Sequence, residues 1–428
     1  MNIAIVGFGI EGQASYSYWS NKKNVVTIVD QNEDVSGIPN GARSRVGDGV
    51  LDDLSQFDMV IRTPQINPGD IHQAKKIWSA TNEFFKVCPA PIIGVTGTKG
   101  KGTTSSLIAR ILESAGETVH LLGNIGRPAL SVLPEISVDD IVIFELSSFQ
   151  LWDLQYSPQT AVVLMIEADH LNVHADMQEY VNAKKRIGLQ QSASDSMVYH
   201  PTNPYSLEIA SASKAHKVRY LTNEGAHIID EEVVIEKTNV CKIKDIQLIG
   251  AHNVENVCAA ITASWRYTQN IPAIRTAVQQ FTGLPHRLEF IKTISGVDYY
   301  NDSYSSTPAA TVAAVRSFTG PITLLVGGYD KNSDFRLLKK QLSEQNNISN
   351  IIIYGAVRHK MARALSGSLR AIVHVLETND FRRIITAAQD YARPGGVVIL
   401  SPGTSSFDMF KNFEDRGEQF KRIIEEIS

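Results

Sequence analysis

Cysteine is scarce in this chain. Cys88, Cys241 and Cys258 are the only three in 428 residues, too few and too scattered for a disulfide framework or a zinc ribbon. A reducing compartment is the simple consequence. A dominant charge is missing too. Lys and Arg number 41 and Asp and Glu 45, so the net charge is 41 − 45 = −4, with no long run of one sign. That balance argues against nucleic acid and against a membrane surface as partners. No apolar run approaches the roughly 18 residues of a membrane span. The opening MNIAIVGFG enters a strand at once, which leaves no room for a signal peptide. The expectation is a soluble, cytoplasmic, monomeric protein. Hydrophobic residues make up 43%, enough for several cores, and the length suggests two to four domains.

Glycine is placed where it carries information. Residues 94–103 read GVTGTKGKGT directly after the apolar run Ala90-Pro91-Ile92-Ile93. This reads as a strand, a glycine-rich turn and a helix, the helix marked by Leu107, Ile108, Ile111, Leu112 and Ala115 and stopped at Gly116. Such a turn lets backbone N–H groups close around phosphate oxygens at the positive end of a helix. Gly97, Thr98, Lys99, Gly100, Lys101, Gly102, Thr103 and Thr104 are therefore candidate ATP contacts. Lys101 would reach the β/γ-phosphates. Val95 occupies the place of the first glycine of the usual G-x-x-x-x-G-K-[ST] pattern, and Gly102 that of its hydroxyl. Thr103 and Thr104 are the nearest hydroxyls for Mg²⁺.

Three α/β blocks in series are expected: residues 1–85, Rossmann-like; 86–283, P-loop ATPase-like; and 284–428, Rossmann-like again. In the first, strand Asn2–Val6 precedes Gly7-Phe8-Gly9-Ile10-Glu11-Gly12, and strand Val25–Val29 ends in Asp30. A G-x-G-x-x-G turn with an acid about 20 residues on is the dinucleotide fingerprint, although any phosphate or ribose ligand can use the same turn. In the second, Asp140–Glu145 and Thr160–Ile166 read as buried parallel strands, both ending in polar residues. In the third, Ile322–Val326, Ile351–Tyr354, Ala371–Val375 and Val397–Ser401 read as strands between helices.

The chemistry-bearing candidates lie at those strand ends. Glu145 is either a Mg²⁺ ligand or a solvated acid. His170, in Glu167-Ala168-Asp169-His170-Leu171-Asn172, is either a ligand or a structural imidazole. Lys184, in a helix expected over Met177–Leu189, reads by itself as one of three solvated cations with Lys185 and Arg186.

The P-loop is followed, in order, by GNIGRPAL (123–130), FELSSFQL (144–151), EADHLN (167–172), GAHNVEN (250–256), FTGLPHRLE (281–289), YNDS (300–303) and SPGTSSFDMFKNFEDRG (401–417). This series resembles the Mur ligases over nearly the whole chain, in particular those that add the second amino acid of the peptidoglycan stem. The resemblance implies an ATP-dependent ligase that joins D-glutamate to UDP-N-acetylmuramoyl-L-alanine through an acyl phosphate. It implies that Lys101, Glu145, His170 and Lys184 are catalytic, with two Mg²⁺ ions held by Thr103 and Glu145 and by His170 and Lys184, the lysine as a carbamate. It matches Asn253, Asn256, Arg287 and Asp302 to ATP, which would lie between the second and third blocks. The UDP substrate would meet Gly9, Ile10, Glu11, Gly12, Asp30, Thr63, Pro64, Asn124, Ser147 and Gln150. The amino acid would meet Ser306, Lys331, Ser406 and Phe413. Four positions depart from the family pattern: Lys99 replaces an asparagine, Gly102 a hydroxyl residue, Tyr304 a lysine, and Thr63-Pro64-Gln65 the sequence SPG. GTKGKGT also resembles the loop of folylpolyglutamate synthases, so a folate-type glutamate ligase is one alternative. A nicotinamide-binding sensor or reductase is another, from a different class.

Overall fold

The structure is a computed structural model that describes every residue except 331–333, 368 and 428. The chain forms two compact units. One is Met1–Ile246 with Ala251–Phe281, the other Gln247–Gly250 with Thr282–Ser428.

The first unit holds two parallel sheets. Strands β1 (Asn2–Val6), β2 (Val25–Asp30), β3 (Arg43–Val46), β4 (Met59–Arg62) and β5 (Ile77–Ser79) are ordered β3-β2-β1-β4-β5. Ile3 to Val6 and Met59 to Arg62 are buried without alternation, because helices and loops cover both faces of a parallel sheet. The strand order reverses between β1 and β4, and a crevice opens beyond their carboxyl ends.

The second sheet comprises β6 (Ile92–Thr96), β7 (Val119–Gly123), β8 (Ile141–Glu145), β9 (Thr160–Val163), β10 (Ser196–Tyr199) and β11 (His216–Arg219), ordered β11-β10-β9-β6-β8-β7. Three expected boundaries shift here. β6 runs on through Gly94-Val95-Thr96, of which Gly94 and Val95 pair with both β8 and β9 and Thr96 with β9, so the phosphate turn begins at Gly97. Gly94 is a close-approach glycine within the strand, since a Cβ there would lie 2.7 Å from Pro158 Cγ. β9 stops at Val163 rather than Ile166, and the helix expected over Met177–Leu189 closes at Lys185. A small antiparallel sheet also belongs to this unit: β12 (His227–Ile229), β13 (Glu232–Ile235) and β14 (Thr238–Lys242). The parallel-strand reading of the sequence did not contain it.

The second unit is built on β15 (Glu289–Ile294), β16 (Val297–Asn301), β17 (Ile322–Gly327), β18 (Ile348–Tyr354), β19 (Ile372–Val375) and β20 (Val397–Leu400), ordered β15-β16-β20-β17-β18-β19. β15 and β16 pair antiparallel around Ser295-Gly296, so the sheet is mixed. The fold class is α/β, with the three main sheets in series as expected and the small antiparallel sheet in addition. Among the described residues, no helix is long and apolar enough to cross a membrane.

Candidate active site

The turn after β6 is shaped by its glycines. Gly100 has φ +82° and starts the helix Lys101–Ser114 with no side-chain cap. A Cβ on Gly100 would lie 2.3 Å from Asn256 Oδ1, so only glycine fits. The uncapped first N–H groups of this helix are suited to an anion. Lys101 Nζ donates to Gly97 O at 3.2 Å and Thr98 O at 3.0 Å. Thr98 Oγ1 accepts from Glu167 N–H at 2.9 Å and lies 3.1 Å from the Tyr180 hydroxyl. Lys99 is turned to solvent, 3.7 Å from Glu167. The two threonines differ. Thr104 is fully buried, 3.4 Å from Asn256 Oδ1, whereas Thr103 is half-exposed. Asn256 Nδ2 donates to Asn253 Oδ1 at 3.0 Å, so the two asparagines lie together beside the turn.

Lys184 departs most from its bland reading. It is 1% exposed and donates to Gly97 O at 3.0 Å and Thr96 Oγ1 at 3.3 Å. Burial pushes its ammonium well below the usual lysine range, and the Lys101 charge adds to this, against smaller pulls from Asp169 and Glu145. Its neighbour Lys185 instead pairs with Glu208 at the surface. A single residue step along the helix thus separates a buried amine from an ordinary cation.

Glu145, 3% exposed, ends β8. Its Oε1 accepts from Asn124 Nδ2 at 3.0 Å, and its buried Oε2 has no hydrogen-bond partner. An orphaned buried carboxylate oxygen suits a divalent cation. Among the described residues no three His, Cys, Asp or Glu side chains cluster as a metal cage. His170 lies in an exposed loop at φ +54°, 3.7 Å from Asp169 and 4.9 Å from the Phe149 ring. Asp169 was not singled out from the sequence, yet its charge reaches both Lys184 and Tyr180.

The crevice of the first sheet is a cavity of 790 Å³, and all ten residues expected on the UDP side line it. Asp30 closes the turn by accepting the Phe8 N–H at 2.8 Å. Ser147 and Gln150 form a capping box at the start of a short helix. Sequence reasoning missed the residue that joins these walls. Arg62 is 1% exposed and donates to both Asp153 oxygens, at 2.9 and 2.5 Å. It also reaches the carbonyls of Thr63, Ile66 and Phe149. One guanidinium therefore fixes the 63–66 loop against the 147–150 helix. Arg62 and Asp153 lie 91 positions apart, and no local signal links them.

In the second unit, Asp302 accepts from Leu288 N–H at 3.2 Å and Ser401 Oγ at 2.7 Å. Burial pushes its carboxyl up to about 6, against those hydrogen bonds and the nearby Arg287. Ser406 is buried, Ser306 is exposed, and Phe413 opens the last helix. Lys331 lies outside the described residues. Arg416, within the FEDRG segment, is fully buried. It donates to the carbonyls of Ser303, Thr404 and Ser405 and so fixes the loop that carries Ser406.

Comparison with known proteins matches residues 95–264 to the Mur ligase middle domain and residues 286–403 to the Mur ligase, glutamate ligase domain. The UDP-N-acetylmuramoylalanine–D-glutamate ligase of Clostridium tetani is 36% identical, covering 99% of this chain and 96% of that protein. The Acetivibrio thermocellus protein of the same name is also 36% identical at the same coverage. Among solved structures, UDP-N-acetylmuramate–alanine ligase from Thermotoga maritima superposes with TM-score 0.61 at 16% identity over the whole of both chains. The MurF ligase from Thermotoga maritima in complex with ADP gives 0.60 at 14%, covering 100% of this chain and 95% of that one. FolC from E. coli, in complex with DHPP and ADP, gives 0.55 at 17%, covering 82% and 92%. At these identities the structural likenesses speak to the fold alone.

Proposed function

The chain belongs to the Mur ligase family, and from that premise we propose that it joins D-glutamate to UDP-N-acetylmuramoyl-L-alanine at the cost of ATP. The setting would be cytoplasmic assembly of peptidoglycan precursor. The observation that carries the chemistry is the buried Lys184 amine hydrogen-bonded to the phosphate turn, near the orphaned oxygen of Glu145. A desolvated, neutral amine is the form that adds CO₂, and the carbamate so formed replaces a cation with an anionic oxygen donor. Mg²⁺ would be held by Thr103 and Glu145, and a second ion by His170 and carbamylated Lys184. Bound there, the ions would offset charge on phosphoryl and acyl oxygens.

The chain's own groups do the rest. The turn at Gly97–Gly100 and the following helix start cradle the triphosphate, with Lys101 along its β/γ-phosphates. Asn253, Asn256, Arg287 and Asp302 are read as its nucleoside-side contacts. The 790 Å³ cavity takes the UDP-sugar and directs its carboxylate to the γ-phosphate. Transfer of the γ-phosphoryl group to that carboxylate breaks its bond to the bridging oxygen and releases ADP; the glutamate amine then attacks the acyl carbon of the acyl phosphate, loses a proton, and phosphate leaves as the amide forms. Ser306, Lys331, Ser406 and Phe413 are assigned to glutamate. Each of the ranges 1–85, 86–283 and 284–428 carries its own main sheet, and we read them as substrate, ATP and amino-acid domains. The cavity favours a UDP-sugar over a folate, and the second and third sheets have no task in a nicotinamide enzyme. The direct test is phosphate release. It is expected only with ATP, UDP-N-acetylmuramoyl-L-alanine and D-glutamate together. Release with folate and glutamate, or with ATP alone, would overturn the assignment.

Two residue-level results should follow. Because Thr104 is turned inward to Asn256, Thr103→Ala should raise the Mg²⁺ concentration for half-maximal rate about tenfold, the effect of losing one metal ligand. Thr104→Ala should leave that requirement unchanged, and the reverse order in a Mg²⁺ titration would reassign the ligand. Glu11 governs pH dependence. Desolvation pushes its carboxyl up to about 7, against a smaller pull from Arg62. Glu11 lines the cavity in the first turn of helix Ile10–Ser20, where a diphosphate would also lie. It is mostly protonated below pH 7 and anionic above, so KM for the UDP-sugar should rise as pH passes from 6 to 8. Glu11→Gln should flatten that rise, and an unchanged profile in this variant would exclude Glu11 as its source.

A further inference from the structure

Tyr304 has no part in the reaction as described, yet its ring joins two residues that do. It is 44% exposed, a large aromatic left at the surface of the second unit. The Arg287 guanidinium carbon lies 3.8 Å from the centre of the ring. The same ring meets Phe413 edge-to-face, 5.1 Å between centroids at 87°. Arg287 has been read as a nucleotide contact and Phe413 as a glutamate contact.

The backbone beneath Arg287 is already fixed. His286 and Leu288, on either side, both take left-handed conformations, φ +64° and +44°, that non-glycine residues rarely adopt. Surrounding bonds hold them. His286 N–H donates to Glu289, Asn301 Nδ2 lies 2.9 Å from the His286 ring, and Leu288 N–H donates to Asp302. Tyr304 N–H in turn donates to His286 O at 3.0 Å, so the ring and Arg287 share one scaffold. The freedom that remains is in the long arginine side chain, which has many rotamers to lose. A guanidinium laid on an aromatic face gains cation–π attraction and uses none of its in-plane N–H donors for it. Those donors stay available to phosphate or ribose oxygens.

We propose that Tyr304 is a positioning residue, whose ring presets Arg287 for the nucleotide and, through Phe413, ties nucleotide occupancy to the glutamate pocket. The proposal rests on the reading of Arg287 and Phe413 given above. Seating ATP against Arg287 draws on the same ring that borders Phe413, so loss of the ring is felt at both substrates.

The test uses the full-length enzyme with Tyr304→Leu and Tyr304→Phe. It measures KM for ATP and glutamate, kcat, the thermal midpoint, and Kd for a non-hydrolysable ATP analogue by calorimetry. Tyr304→Leu is expected to raise KM for ATP and Kd for the analogue about three- to fivefold, the loss of one cation–π contact at a partly exposed site. KM for glutamate should rise several-fold, with kcat and the thermal midpoint nearly constant. Tyr304→Phe, which keeps the ring, should return both KM values to wild type. In an Arg287→Lys background, Tyr304→Leu should add little to KM for ATP, because the two residues act as a unit. Should Tyr304→Leu fail to fold, Tyr304→Met serves in its place. A leucine variant that binds the analogue as wild type does, or losses that simply add to those of Arg287→Lys, would overturn the role of the ring alone. A wild-type enzyme that binds no nucleotide would overturn the reading beneath it as well.

Discussion

Lys184→Ala should be nearly inactive, with kcat lowered by at least the order of 10²–10³ expected for one lost charge-stabilising group. Small carboxylates such as formate or acetate should restore part of the rate, since they can refill an anionic ligand position that alanine vacates. Lys185→Ala should behave close to wild type. The contrast follows from the environments of two adjacent lysines. Lys184 is buried against Thr96 and Gly97, where desolvation favours the neutral amine. Lys185 is partly exposed and pairs with Glu208. Steady-state rates of both variants, with and without added carboxylate, make the comparison. Equal losses in the two, or no rescue of Lys184→Ala at any carboxylate concentration, would remove the carbamate from the mechanism.

Lys101→Ala is the second large effect. Lys101 starts the helix whose N-terminus faces the phosphate turn, and its ammonium is held over that turn by Gly97 O and Thr98 O. In the transferring state, negative charge builds on the γ-phosphoryl oxygens, and a fixed ammonium there acts on the transition state more than on bound ATP. The expected result is a kcat lowered by on the order of 10²–10³, with KM for ATP changed far less. Lys99→Ala is the control. That side chain is largely exposed beside Glu167, where an ion pair contributes little. Initial-rate kinetics with varied ATP separate kcat from KM. An active Lys101→Ala enzyme, or a loss confined to KM, would show that Lys101 binds ground-state ATP rather than the transferring phosphoryl group.

What could be read from the chain alone was whatever rests on local pattern. β1, β2 and β8 are mostly apolar runs, and the burial of their apolar residues follows largely from composition. The phosphate turn was legible because glycine is needed where φ is positive, as at Gly100. The ten residues of the UDP-side cavity came from motif likeness, and each motif is a short strand end or helix start that carries its geometry with it. The same locality misled at Gly94. From sequence it looked like the opening of the turn, whereas in the fold it is a strand residue pressed by Pro158, 64 positions away.

Tertiary structure decided the state of the ionisable groups. Lys184 and Lys185 are indistinguishable as letters, and only packing gives one a buried site and the other a surface partner. Glu145 reads as a carboxylate at a strand end, but the fold alone leaves one of its oxygens buried without a partner. The Arg62–Asp153 pair and the stack of Arg287 on Tyr304 leave no sequence signature, because each depends on segments brought together by the chain path. The division has a physical reason. Backbone preference and hydrophobic period act over a few residues and are written in the chain. Desolvation and Coulomb interaction act through space, and their size is set by what the completed fold places around each charge.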